Sequence, residues 1–143
     1  MALLAALGVV LLTGCSSAVE VTAPPQAGSP ACTAAARHWP TTVSGKDRVE
    51  TTADSGAVAA WGDPPVIARC GLGALAPTTE QCLDVDGVDW VVRKASDGAV
   101  FTTFGRDPAI EVLVPNAYAP EPLLLPAFGA AAKALPANGH SCK

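Results

Sequence analysis

The sequence predicts an α+β domain: an antiparallel β-meander sheet with N-terminal and C-terminal helices packed on one face, stapled by disulfides. Three observations lead there. Short runs of alternating apolar residues, divided by Asp-Gly and Gly/Pro turns, fill the middle of the chain. Ala-rich stretches with helix start and stop signals stand towards both ends. Four cysteines remain once the cysteine closing an apolar leader is set aside. A length of 143 residues suits one such domain.

The leader is Met1 to Gly14, MALLAALGVVLLTG. Its uncharged run, Ala2 to Leu12, is too short to cross a bilayer as a helix, which needs about 20 residues. It suits the apolar core of a signal peptide. The run closes in Leu12-Thr13-Gly14-Cys15, which resembles the lipobox of bacterial lipoproteins: an apolar residue three before the cysteine, then two small ones. Such a cysteine takes a diacylglyceryl thioether and, after cleavage, becomes the first residue. Acyl chains such as palmitate then hold the protein, since two or more chains anchor firmly where one does not. No Lys or Arg precedes Cys15, so a short basic leader upstream of Met1 is expected. The tail from Ser16 to Ser29 is small, polar and Pro-bearing, as a tether should be. Within it Val19-Glu20-Val21-Thr22 alternates and could join a sheet edge. The expected organisation is a signal peptide over 1–14, a lipidated cysteine and tether over 15–28, and one domain over 29–143.

Ser29-Pro30 opens the first helix, Ser as N-cap and Pro at the first helical position. The helix runs over Ala31 to Trp39, and Pro40 stops it. Asp47 to Ala60 gives mixed signals, with Arg48 to Thr52 a candidate short strand. Trp61-Gly62-Asp63-Pro64-Pro65 reads as a rigid turn leading into a strand at Val66 to Cys70. The strongest hairpin is Leu83 to Val85, Asp86-Gly87, then Val88 to Arg93, because Asp-Gly supplies the positive φ of a type I′ turn. Val88, Trp90 and Val92 fall on one face of it. Asp97-Gly98 turns the chain into Val100 to Phe104, and Gly105 to Pro108 turns it into Ile110 to Val114. Ile110, Val112 and Val114 should face the core. The last helix, about Leu123 to Leu135, carries Leu125, Phe128, Ala132 and Leu135 at helical spacing. Pro126 must lie in its first turn, or the helix begins there.

With Cys15 lipidated, Cys32, Cys70, Cys82 and Cys142 form an even set in an exported domain, which favours two disulfides. Of three pairings the favoured one is Cys70–Cys82, closing a local Gly/Pro loop, with Cys32–Cys142 joining the domain's ends. The rival, a metal site or redox pair, lacks the close C-x₂-C or H-x₃-H spacing that such chemistry uses.

Catalytic and cofactor motifs are absent. Asp84, Asp86 and Asp89 fail the EF-hand pattern, since Val88 and Asp89 fall at its fifth and sixth positions. His38 and His140 are the only histidines, and no G-x-S-x-G elbow accompanies them. Neither G-x-G-x-x-G nor a P-loop occurs. The net charge is −4 and the nine basic residues are scattered, so no nucleic-acid face is expected. Trp61, Trp90, Arg69, Arg106 and Tyr118 are the side chains best able to form a recognition surface. The plainer alternative buries both tryptophans in the core and pairs the two arginines with Asp63 and Asp107.

The string Ala60 to Gly71 (AWGDPPVIARCG), with Val85 to Trp90 (VDGVDW) and Phe101 to Arg106 (FTTFGR), resembles a family of small actinobacterial lipoproteins of unknown function, DUF 3515. The resemblance spans about Ser29 to Cys142. It implies an envelope location and carries no activity, cofactor or catalytic residue with it. The expectation is therefore a lipid-anchored protein on the extracytoplasmic face of the membrane. Its partners would be membrane lipid through Cys15 and an envelope protein or wall ligand, with no cofactor. The alternatives are an envelope hydrolase or transferase using Asp63, Asp84, Asp86 or Asp89, and a purely structural assembly role.

Overall fold

In the computed structural model, which describes residues 17–143, Ser29 caps the first helix. Its Oγ accepts the Cys32 N–H at 3.2 Å, and Pro30 opens α1 (Pro30–Ala36). The leader and Cys15 lie outside the described residues. Eight strands follow: β1 (Thr42–Val43), β2 (Lys46–Val49), β3 (Val58–Trp61), β4 (Val66–Leu72), β5 (Gln81–Val85), β6 (Val88–Lys94), β7 (Gly98–Phe104) and β8 (Ala109–Pro115). A 3-10 turn (Asn116–Tyr118), a 3-10 helix (Glu121–Phe128) and α2 (Gly129–Lys133) complete the chain.

The strands form one antiparallel sheet in the order β1-β2-β3-β4-β8-β7-β6-β5. It is two meanders rather than one, joined where β4 pairs with β8. The Asp86-Gly87 turn takes the positive φ angles expected, 53° and 81°. Trp61 closes β3 fully buried, so the turn that follows begins at Gly62 instead of Trp61. The Ala-rich β3 gave no alternating signal because all four of its residues are buried.

Register sorts the side chains onto two faces. Ala68 opposes Val112, which opposes Phe101, which opposes Val92. That row and its neighbours, with Val66, Cys70, Ile110, Val114 and Trp90, enter a single hydrophobic cluster with Cys32 and Ala35 of α1 and Ala131 and Ala132 of α2. The two helices also pack on each other. On the opposite, outer face Arg69, Glu111, Thr102, Val91 and Cys82 follow one another across the strands. At one end of the core Trp39, Trp61 and Phe128 meet edge to face, with centroids 5.4–6.4 Å apart. Each such pair is worth about 1 kcal/mol beyond its burial.

The disulfides are Cys32–Cys70 and Cys82–Cys142, which corrects the expected pairing of Cys70 with Cys82 and Cys32 with Cys142. Cys70 points into the core beside Val66 and Ala68, whereas Cys82 opposes Val91 on the outer face. Three strands separate β4 from β5, so the two thiols also stand about 19 Å apart along the sheet. The helix seated over β4 supplies Cys32, the half-cystine that among the described residues comes within reach of Cys70.

Two further expectations change. The segment 15–28 is no free tether along its whole length, because it is fastened to the domain from Val19 onward. Val19 donates to Glu50 O at 2.8 Å and accepts from Thr52 N at 2.9 Å, Gln26 donates to Gly71 O at 2.9 Å, and Ala27 is buried. The strap crosses β4 at a bulge between Cys70 and Leu72, where Gly71 has φ +124° and any Cβ would collide with the backbone of Gln26 and Ala27. The last helix is 3-10 through Phe128 and α-helical for only five residues. Pro126 lacks the N–H for an α-helical bond, and its ring crowds the carbonyl of residue 122. Leu125, Phe128, Ala132 and Leu135 are nevertheless buried as their spacing implies.

Candidate functional site

The final residues of the chain leave the core and wrap around the end of the sheet to its outer face. Arg106 steers them, donating from Nη1 to Leu135 O at 2.9 Å and bridging Ala137 through its backbone. Asn138 then donates to Gly105 O at 3.0 Å. Gly105 has φ +85°, and a Cβ there would collide with the His140 carbonyl. Only glycine lets the tail cross so close. The His140 ring lies against Phe104, centroids 5.7 Å apart. The Cys142 N–H donates to Asp89 Oδ2 at 2.7 Å, and its sulfur bonds Cys82.

This tail forms one wall of an open basin of about 650 Å³. The other wall is the loop Pro77 to Glu80, and Val91 and Phe104 lie between them. The basin therefore combines a tilted pair of rings, Phe104 and His140, the hydroxyls of Thr78, Thr79 and Ser141, the Glu80 carboxylate and Lys143. That is binding chemistry for a partly polar ligand or an extended segment. Sequence reasoning gave His140 no place in a site. The signal available was Cys142 itself, since a half-cystine two residues beyond His140 ties that stretch to the domain.

The residues expected to form a recognition surface are not brought together. Arg69 pairs with Glu111 at 2.8 Å, not with Asp63, and reaches Thr22 O at 3.3 Å, tying strap to sheet. Arg106 serves the tail carbonyl, not Asp107. Tyr118 donates its hydroxyl to Pro64 O at 2.6 Å, and Lys46 Nζ lies 4.0 Å from its ring centroid. Arg106 and Tyr118 flank opposite ends of β8. Trp61 and Trp90 are both fully buried. Trp61 Nε1 donates to Pro40 O at 3.1 Å, while Trp90 Nε1 finds no partner among the described residues.

Of the candidate acids, Asp84 and Asp89 are direct cross-strand partners on the outer face. Asp84 accepts the Gly87 N–H at 2.9 Å, closing the hairpin, and Asp89 holds Cys142. Asp86 occupies the turn, and Asp63 lies in the β3–β4 turn across the sheet. His38 is exposed just past α1.

The architecture defines a class: a disulfide-stapled antiparallel sheet domain with its C-terminal tail clipped to the outer face. The chain belongs to the family described as "Protein of unknown function (DUF3515)", whose match covers residues 2–138. No curated protein and no solved structure matches it. No described helix is long and apolar enough to cross a membrane.

Proposed function

We propose that the protein is an exported actinobacterial lipoprotein, cleaved before Cys15 and held by lipid on that residue at the outer face of the cell membrane. Its folded domain binds an envelope protein or wall ligand without catalysing a reaction. One observation carries the address. A lipobox-like Leu12-Thr13-Gly14-Cys15 precedes a domain whose four remaining cysteines are all in disulfides. Paired cysteines throughout a small domain suit an oxidising compartment outside the cytosol. The basin beside Cys82–Cys142 is the surface best furnished for the ligand.

The test of the anchor is Cys15→Ser with metabolic labelling by a fatty-acid analogue. The variant should lose the label and accumulate as uncleaved precursor. Label retained on the variant would sink the lipobox assignment. A second reading, an envelope hydrolase or transferase, rests on the Asp84–Asp89 pair, and Asp84→Asn should then abolish a wall-degrading activity that the binding reading does not require.

A further inference from the structure

The path of the N-terminal strap determines where a lipid on Cys15 has to sit. Val19 is clamped between Glu50 and Thr52 by two backbone hydrogen bonds. Ser17 and Val19 line a shallow groove with Arg48, Val49, Asp63 and Pro65. An extended chain advances at most about 3.6 Å per residue, so the Cα of Cys15 lies within about 14 Å of Val19 and about 7 Å of Ser17. A tether free to residue 28 would let the domain roam, but the fold uses most of that length.

We propose that this pole, β2 together with the Gly62–Pro65 turn, lies against the lipid headgroups of the membrane that holds the protein. The inference rests on the anchoring of Cys15 proposed above. The surface suits a headgroup layer. Val49 is 38% exposed, one of two large apolar side chains so exposed among the described residues. Arg48 is exposed beside it, and its stem can lie on apolar surface while its head stays at phosphate level. Asp47, Glu50 and Asp63 share the pole and outnumber Lys46 and Arg48 there, so the contact is set by the short leash rather than by charge attraction. Salt should not release it. From β2 to β6 the basin beside His140 lies five strand spacings away, about 24 Å along the sheet. It is thereby held off the bilayer, open towards soluble or wall-borne partners.

Carboxylate footprinting tests this on the lipidated protein in vesicles of phosphatidylethanolamine and phosphatidylglycerol. A water-soluble carbodiimide with an amine tag labels exposed acids, and peptides are read by mass spectrometry. The comparison is a lipidated variant with about 12 Gly/Ser residues inserted between Ser16 and Ser17, adding about 20 Å of reach. Asp47, Glu50 and Asp63 should label several-fold less in the native protein than in the spacer variant, with Glu80 and Asp107 equal in both. Equal labelling at all five sites, with lipid found on the Cys15 peptide, overturns this orientation alone. A Cys15 peptide without lipid overturns the anchoring and the orientation together.

Discussion

Asp89 accepts the backbone N–H of Cys142 at 2.7 Å, and the same residue's sulfur is bonded to Cys82 one strand away. The tail is thus held on the outer face by one hydrogen bond and one covalent bond, and the basin's wall depends on both. Cys82 and Cys142 close a loop with a sequence separation of 60, worth about 4 kcal/mol in the chain-entropy model. Replacing both by Ser should lower unfolding free energy by roughly that amount. Amides of residues 138–143 should lose exchange protection well before those of β7 and β8. Non-reducing peptide mapping of the native protein should recover the 32–70 and 82–142 links and no other.

Gly105→Ala attacks the same tail through backbone geometry. A side chain at φ +85° is strained, and its Cβ would strike the His140 carbonyl. The expected loss is about 2 kcal/mol by urea denaturation. Exchange should rise around residues 138–143, while tryptophan fluorescence stays native.

Two tryptophans that look equivalent by burial should respond differently to Phe. Trp61→Phe removes the donor to Pro40 O and part of the aromatic cluster, and should cost about 2 kcal/mol. Trp90→Phe removes an indole N–H with no partner among the described residues. Relief of an unsatisfied donor then offsets the lost volume, leaving a net change within about 1 kcal/mol. Thermal denaturation of both variants decides this, and equal losses would show that the Trp90 indole is satisfied.

Phe128→Ala should be the most damaging single core truncation at that end of the molecule, about 4 kcal/mol. The ring contacts both Trp39 and Trp61, and the proline-bearing 3-10 segment that carries it cannot easily collapse into the void. Near-ultraviolet circular dichroism should report the loss of the tryptophan couplets.

Arg69 and Glu111 join strap, β4 and β8 on a partly exposed surface, their side chains 30% and 16% accessible. A double-mutant cycle with Arg69→Met and Glu111→Gln should give a coupling of about 1 kcal/mol, reduced by salt. The Arg69 variant should also loosen the strap at Thr22, seen as faster exchange over residues 19–27.

Local chemistry wrote much of this molecule into its sequence. Ser29-Pro30 could hardly do other than start a helix, and Asp86-Gly87 selects a type I′ hairpin because only residues tolerant of positive φ fit it. The period-two runs Val88 to Val92 and Ile110 to Val114 named their inward faces, since neighbouring side chains in a strand must point opposite ways. The Leu125, Phe128, Ala132 and Leu135 spacing marked a buried stripe even though Pro126 turned half of it into 3-10 helix.

The tertiary structure decided what depends on distant partners. Strand order placed β8 between β4 and β7, and no local signal reports which edge a returning strand will choose. That order put Cys70 and Cys82 several strands apart, and the register put them on different faces, so the half-cystines close in sequence could not meet. It brought the last residues onto the outer face, creating a basin around His140 whose walls come from segments far apart in the chain. It also drew most of an apparently free tether onto the sheet, because backbone groups at a bulge and a strand edge were left for it to satisfy.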